Sequence, residues 1–349
     1  MVFRGDWKAV LQRTEEELIA LIQTPSVSIR TIDTPIPNNL CVQKRCCNKQ
    51  QKEQLVMHVI QVKSTKTTTT NAPPLVLVHG YTAASMTFAR NLVGLAEAFG
   101  TVYAVDLLGW GRSSRPSVSF STTQETEAFF VESLHEWQRE QRIESMILAG
   151  HSMGGYLSVA YAEQYPACVD RLLLMVPGGV QEQEEPKTSV SSVTLGSLWN
   201  SGVQLESLLR IMPHGKSIVD NVFGDYMSKE ERRLMTEYMH ANLMLSTPPV
   251  NKLFRVDSTA YQPLCHRIPK LREISSVSFI YAERDTWMKA EYGMDVQRRT
   301  TDFEVNVYMV NDAGHALNWK FPDHFNAAVA VAAGKKISNR SLMPIVYGK

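Results

Sequence analysis

Met146-Ile-Leu-Ala-Gly150-His151-Ser152-Met153-Gly154-Gly155 opens on four apolar residues and closes on small residues that lead into a helical pattern. A Gly-x-Ser-x-Gly between a strand and a helix puts Ser152 at the apex of a tight, strained turn. Side chains at Gly150 and Gly154 would collide there. A serine held this way is a nucleophile awaiting a base. Outward from it, apolar runs at 75–78, 102–105, 146–149, 172–176, 277–281 and 305–310 alternate with helical stretches near 85–98, 122–140, 153–165, 287–299 and 322–334. Continuous apolar strands separated by helices predict an α/β fold with a mostly parallel sheet buried on both faces. The alternation breaks once, over 181–270, where several helical patterns rich in Met, Leu, Ser and Glu predict an inserted helical cap. The chain then divides into an N-terminal helix and linker (1–54), two core segments (55–180 and 271–349) and the cap between them.

A serine is inert at its free pKa, so a base and an orienting acid must follow in the order Ser, Asp or Glu, His. His315 comes in Asn-Asp-Ala-Gly314-His315 just after the run at 305–310, and Asp285 in Ala-Glu-Arg-Asp285 just after the run at 277–281. Both sit at C-terminal strand ends, where open α/β sheets bind ligands. Glu283 and Asp312 are the rival acids. Asp312 lies only three residues from the histidine it would orient, and Glu283 is close to the strand end. Leu75-Val-Leu-Val-His79-Gly80-Tyr81 ends the first strong strand, and the backbone N–H groups of Tyr81 and Met153 are the expected oxyanion hole. Such a donor stabilises a transition state by about 3 kcal/mol. His79 reads as structural.

Composition narrows the rest. In 349 residues, 36 basic side chains face 35 acidic ones, so no net field holds a polyanion and nucleic acid is not an expected partner. No run approaches the roughly 18 apolar residues of a membrane span, and the start has no apolar signal core, so a cytoplasmic protein is expected. Trp7, Val10, Leu11, Leu18, Leu21 and Ile22 form a helical stripe, with Glu15, Glu16 and Glu17 mostly off it. Acidic residues disfavour anionic lipid, so this helix is expected to dock on the protein's own body, with peripheral contact to membranes or lipid droplets as the alternative. Residues 24–52 read as polar linker, followed by a strand at 55–62. Of five cysteines, Cys41, Cys46 and Cys47 cluster without the partners of a metal site. No metal or cofactor is expected.

From Leu55 onward the chain resembles serine hydrolases of the α/β-hydrolase fold. Val102-Tyr-Ala-Val-Asp106-Leu-Leu-Gly-Trp-Gly-Arg-Ser-Ser-Arg-Pro116, Phe130-Val-Glu-Ser-Leu-His-Glu-Trp137 and the Ser152 segment further resemble α/β-hydrolase domain-containing proteins four and five. That resemblance implies lipid metabolism: a lysophospholipase deacylating N-acyl phosphatidylethanolamines, a co-activator of a triglyceride lipase, or a lysophosphatidic acid acyltransferase. The co-activator resembles this chain but carries asparagine at the position of Ser152, so serine favours a working enzyme. The acyltransferase motif His-x4-Asp becomes His315-Ala-Leu-Asn-Trp-Lys320 here, with lysine in place of the acid. Serine also excludes dehalogenases and epoxide hydrolases, similar folds that carry aspartate there.

The expected function is therefore a serine carboxylester hydrolase, a lysophospholipase or phospholipase-like lipase acting on a lipid acyl ester. A peptide hydrolase resembling proline-type aminopeptidases would need cap acids such as Glu182, Glu184 and Glu185 to hold an ammonium. The apolar cap stretches 205–212 and 234–245 suit acyl chains, or else form the cap's own core. A non-catalytic lipid-binding co-activator is the reading from a different class.

Overall fold

The computed structural model describes residues 6–37, 54–66, 72–182, 210, 214–223, 226–245 and 250–347. Its strands are β1 (Val27–Ile36), β2 (Leu55–Ser64), β3 (Leu75–Val78), β4 (Thr101–Val105), β5 (Met146–His151), β6 (Val169–Met175), β7 (Ser276–Ala282), β8 (Glu304–Val310) and β9 (Ile345–Tyr347). They form one sheet in the order β1-β2-β4-β3-β5-β6-β7-β8-β9. The six strands from β4 to β8 along this order are parallel, and antiparallel pairs close both edges. Every residue of β3 and β7 is buried, which is why these strands read as unbroken apolar runs.

The helices are α1 (Trp7–Ile22), α2 (Ala89–Phe99), α3 (Thr123–Glu140), α4 (Met153–Gln164), α5 (Gly215–Phe223), α6 (Lys229–Leu245), α7 (Ala290–Arg299), α8 (Leu317–Lys320) and α9 (Pro322–Ala332). Ten of the twelve residues of α4 are buried, so the turn at Ser152 rests on a helix clamped from all sides. Two strands are additions to the expected pattern. β1 pairs along its full length with β2, from Val27 opposite Ser64 to Ile36 opposite Leu55, so the stretch read as linker supplies the sheet's first strand. As an edge strand it is largely exposed and tolerates Pro35, and it therefore lacks the apolar signature of a central strand. β9 is likewise a short, exposed edge.

Within 181–270, the stretch expected to form a cap, the described α-helices are α5 and α6, joined by the Arg232–Asp220 ion pair at 2.6 Å. Residues 205–209 and 211–212, and with them Glu184 and Glu185, lie outside the described residues, as do Cys41, Cys46 and Cys47. Helix α1 lies against α6: Arg13 pairs with Glu237 at 2.7 Å, Arg233 with Glu17 at 3.4 Å, and Trp7 meets the His240 ring edge-on at 5.2 Å.

One acid of α1 is not on the surface. Glu15 is fully buried, with Oε1 3.0 Å from His58 Nε2 and 2.7 Å from the Arg112 guanidinium, while His58 Nδ1 meets Asp33 at 2.5 Å. Burial alone would drive His58 neutral, but the hydrogen bonds it donates to Asp33 and Glu15 outweigh it and raise His58 to about 10. A raised folded-state pKa stabilises fully below the unfolded value near ~6.5, and that contribution is lost as pH climbs through the folded value. Urea unfolding is therefore expected to show stability falling from about pH 6.5 toward pH 10, with a shallower slope in His58→Gln. Glu15→Ala leaves charges buried and unpaired and is expected to cost about 3–5 kcal/mol. An unchanged midpoint in Glu15→Ala would contradict this picture.

Candidate functional site

Strand β5 ends at His151 and α4 begins at Met153, which leaves Ser152 alone to reverse the chain. It does so at φ 53° and ψ −118°, a left-handed conformation strained for a residue with a side chain. A Cβ at Gly150 would fall 2.3 Å from the Gly154 carbonyl oxygen, and one at Gly154 would fall 2.3 Å from that of Val78. Only glycine fits either position, so the turn is closed by backbone against backbone.

His315 follows β8, and its Nε2 lies 3.1 Å from Ser152 Oγ while its Nδ1 lies 2.7 Å from Asp285 Oδ2. Asp285, just past β7, takes its other oxygen to the N–H groups of Trp287 (2.8 Å) and Met288 (3.2 Å). Burial alone would raise the Asp285 carboxyl, but the His315 hydrogen bond and charge, with those two N–H groups, hold it below the ordinary value. The rival acids are engaged elsewhere: Asp312 pairs with Arg284, and Glu283 accepts the Asp312 N–H at 2.9 Å. His151, the residue before Ser152, donates from Nε2 to the His315 carbonyl at 3.0 Å. Burial, seconded by repulsion from His315, pushes His151 down to about 3, so it stays neutral and serves as a fixed donor.

The loop bearing Tyr81 is held from three sides. His79 is buried, accepts the Leu107 N–H at Nε2 (3.1 Å) and so carries its proton on Nδ1, which donates to the Gly80 carbonyl at 2.8 Å. Asp106 accepts the N–H groups of Ser85 and Arg112, both at 2.7 Å. At Gly111, φ +52°, a Cβ would meet Asp106 Oδ2 at 1.9 Å, which accounts for the glycine in Asp106-Leu-Leu-Gly-Trp-Gly111. The third hold was invisible in the sequence: Asn242 of cap helix α6, fully buried, donates to the Thr82 and Ala83 carbonyls at 3.0 and 3.2 Å and accepts the Gly111 N–H at 2.8 Å. Gly80 approaches so closely that a Cβ there would lie 3.1 Å from Ser152 Cβ.

Ser152 and His315 open into a cavity of about 500 Å³ that Tyr81 and Met153 also line. Its other walls are mainly apolar, with Val222 from α5, Met239 from α6, Val250 and Phe254 from the segment after α6, and Trp287 and Trp319 from the segments after β7 and β8. Of the apolar residues expected to line it, Met239 does so; Leu234, Met235 and Leu243 are buried in packing. Among the described residues, two clusters bring metal-ligating atoms together. Glu15, His58 and Asp106 are the buried one, but Arg112 and a protonated His58 already supply its positive charge. The other, Glu182, Cys265 and His266, is mostly exposed, and Glu182 pairs with His266. No described helix is long and apolar enough to cross a membrane.

Residues 75–331 match the model of the alpha/beta hydrolase family. Among curated proteins, the chain is 32% identical to a 1-acylglycerol-3-phosphate O-acyltransferase of Arabidopsis thaliana, over 77% of this chain and 68% of that one. It is 30% identical to the human (lyso)-N-acylphosphatidylethanolamine lipase, over 73% and 78% of the two chains. Among solved structures, carboxylesterase CesB of Bacillus subtilis superposes with a TM-score of 0.64 at 16% identity, covering 95% of this chain and all of that one. With its parallel sheet, its serine turn and a family match over most of its length, the chain belongs to the alpha/beta hydrolase family.

Proposed function

We propose that the chain is a serine carboxylester hydrolase that deacylates a lysophospholipid, phospholipid or N-acyl phosphatidylethanolamine-like lipid. The observation that carries this reading is the hydrogen-bonded series Ser152 Oγ, His315, Asp285 opening into an apolar cavity large enough for an acyl chain. Ser152 Oγ attacks the ester carbonyl while His315 Nε2 takes its proton. Asp285 holds the Nδ1–H tautomer and stabilises the imidazolium, and the N–H groups of Tyr81 and Met153 receive the oxyanion. His315 then returns the proton to the leaving alcohol, and water, activated by the same imidazole, frees the fatty acid. This chemistry calls for no metal or cofactor.

No described carboxylate lines the cavity, which argues against the ammonium-binding requirement of an aminopeptidase. Acyl transfer is the second reading, favoured by the name of the Arabidopsis relative: a lysophosphatidic acid hydroxyl would replace water at the acyl-enzyme. Lys320 holds its ammonium over the Tyr226 ring at 4.6 Å, so the chain offers no acid at that position. A panel of oleoyl lysophospholipids, followed for free oleate and for new phosphatidic acid, tests the choice. Oleate release that depends on Ser152 supports hydrolysis; acylated acceptor in its place would establish transfer. A folded protein that binds these lipids without turnover would establish the co-activator.

Asn242 is assigned as a positioning residue for the oxyanion loop. Asn242→Leu removes both donors to Thr82 and Ala83 and is expected to lower kcat by about 10²-fold, the scale of one lost oxyanion donor, with KM within a factor of three by steady-state kinetics. Asn242→Asp keeps the acceptor for Gly111 and should fall between the two. A fall in thermal stability with kcat unchanged would reduce Asn242 to packing.

A further inference from the structure

A second cavity, of about 550 Å³, shares the wall formed by Val256, Ser258, Trp287 and Met288 with the first. Its lining is different in kind. Gln181, Asp257, Thr286 and Lys289 bring polar groups to it, whereas the first cavity has one charged side chain besides its histidines, Arg255, among mainly aliphatic and aromatic ones. The direction of proton transfer decides which part of a substrate each cavity faces. Because His315 must return its proton to the departing oxygen, the alcohol half of an ester lies on the His315 side of Ser152. The Trp287 ring packs beside His315, with centroids 5.4 Å apart, and is 67% exposed, so it extends from the catalytic histidine into the shared wall. The second cavity therefore adjoins the first across the wall that carries Trp287, the ring beside His315.

We propose that this cavity is the subsite for the polar alcohol half of the substrate, and that Lys289 recognises a phosphate there. This rests on the hydrolase reading above and assigns a residue to the phosphate of the lipids named there. Lys289 is exposed and forms no ion pair among the described residues, so its charge is available to a ligand. Asp257, the described carboxylate in the lining, spends Oδ1 on the Thr259 N–H (3.0 Å) and hydroxyl (2.6 Å). An ammonium at Lys289 gives a phosphate a point charge without fixing its orientation, which suits a flexible headgroup.

Two substrates with one acyl chain separate the subsite from the chemistry: 1-oleoyl lysophosphatidylethanolamine and uncharged 1-oleoylglycerol, each in the same neutral detergent. Lys289→Ala and Lys289→Glu are expected to raise KM for the phospholipid at least ten-fold, with kcat within a factor of two. Kinetics on oleoylglycerol should stay as in wild type, and Lys289→Arg should restore the phospholipid KM. Equal effects on both substrates, or none on either, would overturn the assignment, as would a wild type that hydrolyses only oleoylglycerol. If neither ester is turned over by wild type, the hydrolase reading fails on its own. Calorimetric binding of the lysophospholipid to Ser152→Ala still tests the subsite, with a ten-fold loss expected on adding Lys289→Glu and an unchanged affinity counting against it.

Discussion

Ser152→Ala is expected to lower ester turnover by about 10⁶-fold, the scale seen when the nucleophile of a serine hydrolase is removed. The size of the effect follows from the geometry. The imidazole 3.1 Å away has no other hydroxyl within its described hydrogen bonds, so no neighbouring group can substitute for the lost oxygen. The fold should be untouched. Ser152 is only half-buried, its strained φ is inherited by alanine, and the turn is closed by the backbone contacts at Gly150 and Gly154. Unfolding free energy is therefore expected to stay within about 0.5 kcal/mol of wild type. Turnover within ten-fold of wild type, in a preparation free of other esterases, would remove Ser152 from the mechanism.

Asp285→Asn should cost about 10⁴-fold in kcat. An asparagine can present its amide nitrogen to His315 Nδ1, which would move the imidazole proton to Nε2 and take away the lone pair that Ser152 Oγ needs. The two N–H groups of Trp287 and Met288 that hold Asp285 in place would favour that orientation, since they require an oxygen facing them. Asp312→Asn and Glu283→Gln serve as matched controls, and both should retain kcat within about two-fold because neither reaches His315. A larger loss in Asp312→Asn than in Asp285→Asn would reassign the orienting acid.

Which parts of this arrangement the sequence discloses depends on how local their causes are. The turn at Ser152 is legible because its requirements, an apolar strand, two glycines and a helix, fall within one short segment. His315 and the three candidate acids are legible as positions at strand ends, since a parallel sheet places all its carboxyl ends on one edge. The selection among the acids is a matter of side-chain direction: Arg284 draws Asp312 away, and nothing in the spacing announces that pair. Asn242 is hidden more deeply. It looks like any polar residue of an amphipathic helix, yet its partners stand about 130 and 160 positions earlier in the chain.

Two departures share one cause, burial decided by tertiary context. Glu15 belongs to the acidic run that lies mostly off the apolar stripe of α1, but Arg112 and His58 arrive from other segments and make its burial tolerable. β1 has the reverse history. Its polar residues look like linker because only one neighbour, β2, covers it, and its strand state comes from pairing with that neighbour.

The account's central claim is that Ser152 is chemically activated by His315. Labelling of the purified protein with a fluorophosphonate tests it without any choice of substrate, since the probe reacts with an activated serine and carries its own leaving group. Wild type is expected to label at a single site within minutes, Ser152→Ala and His315→Ala to remain unlabelled, and all three to unfold at similar temperatures. A folded wild type that does not label, or equal labelling of wild type and Ser152→Ala, would contradict the claim.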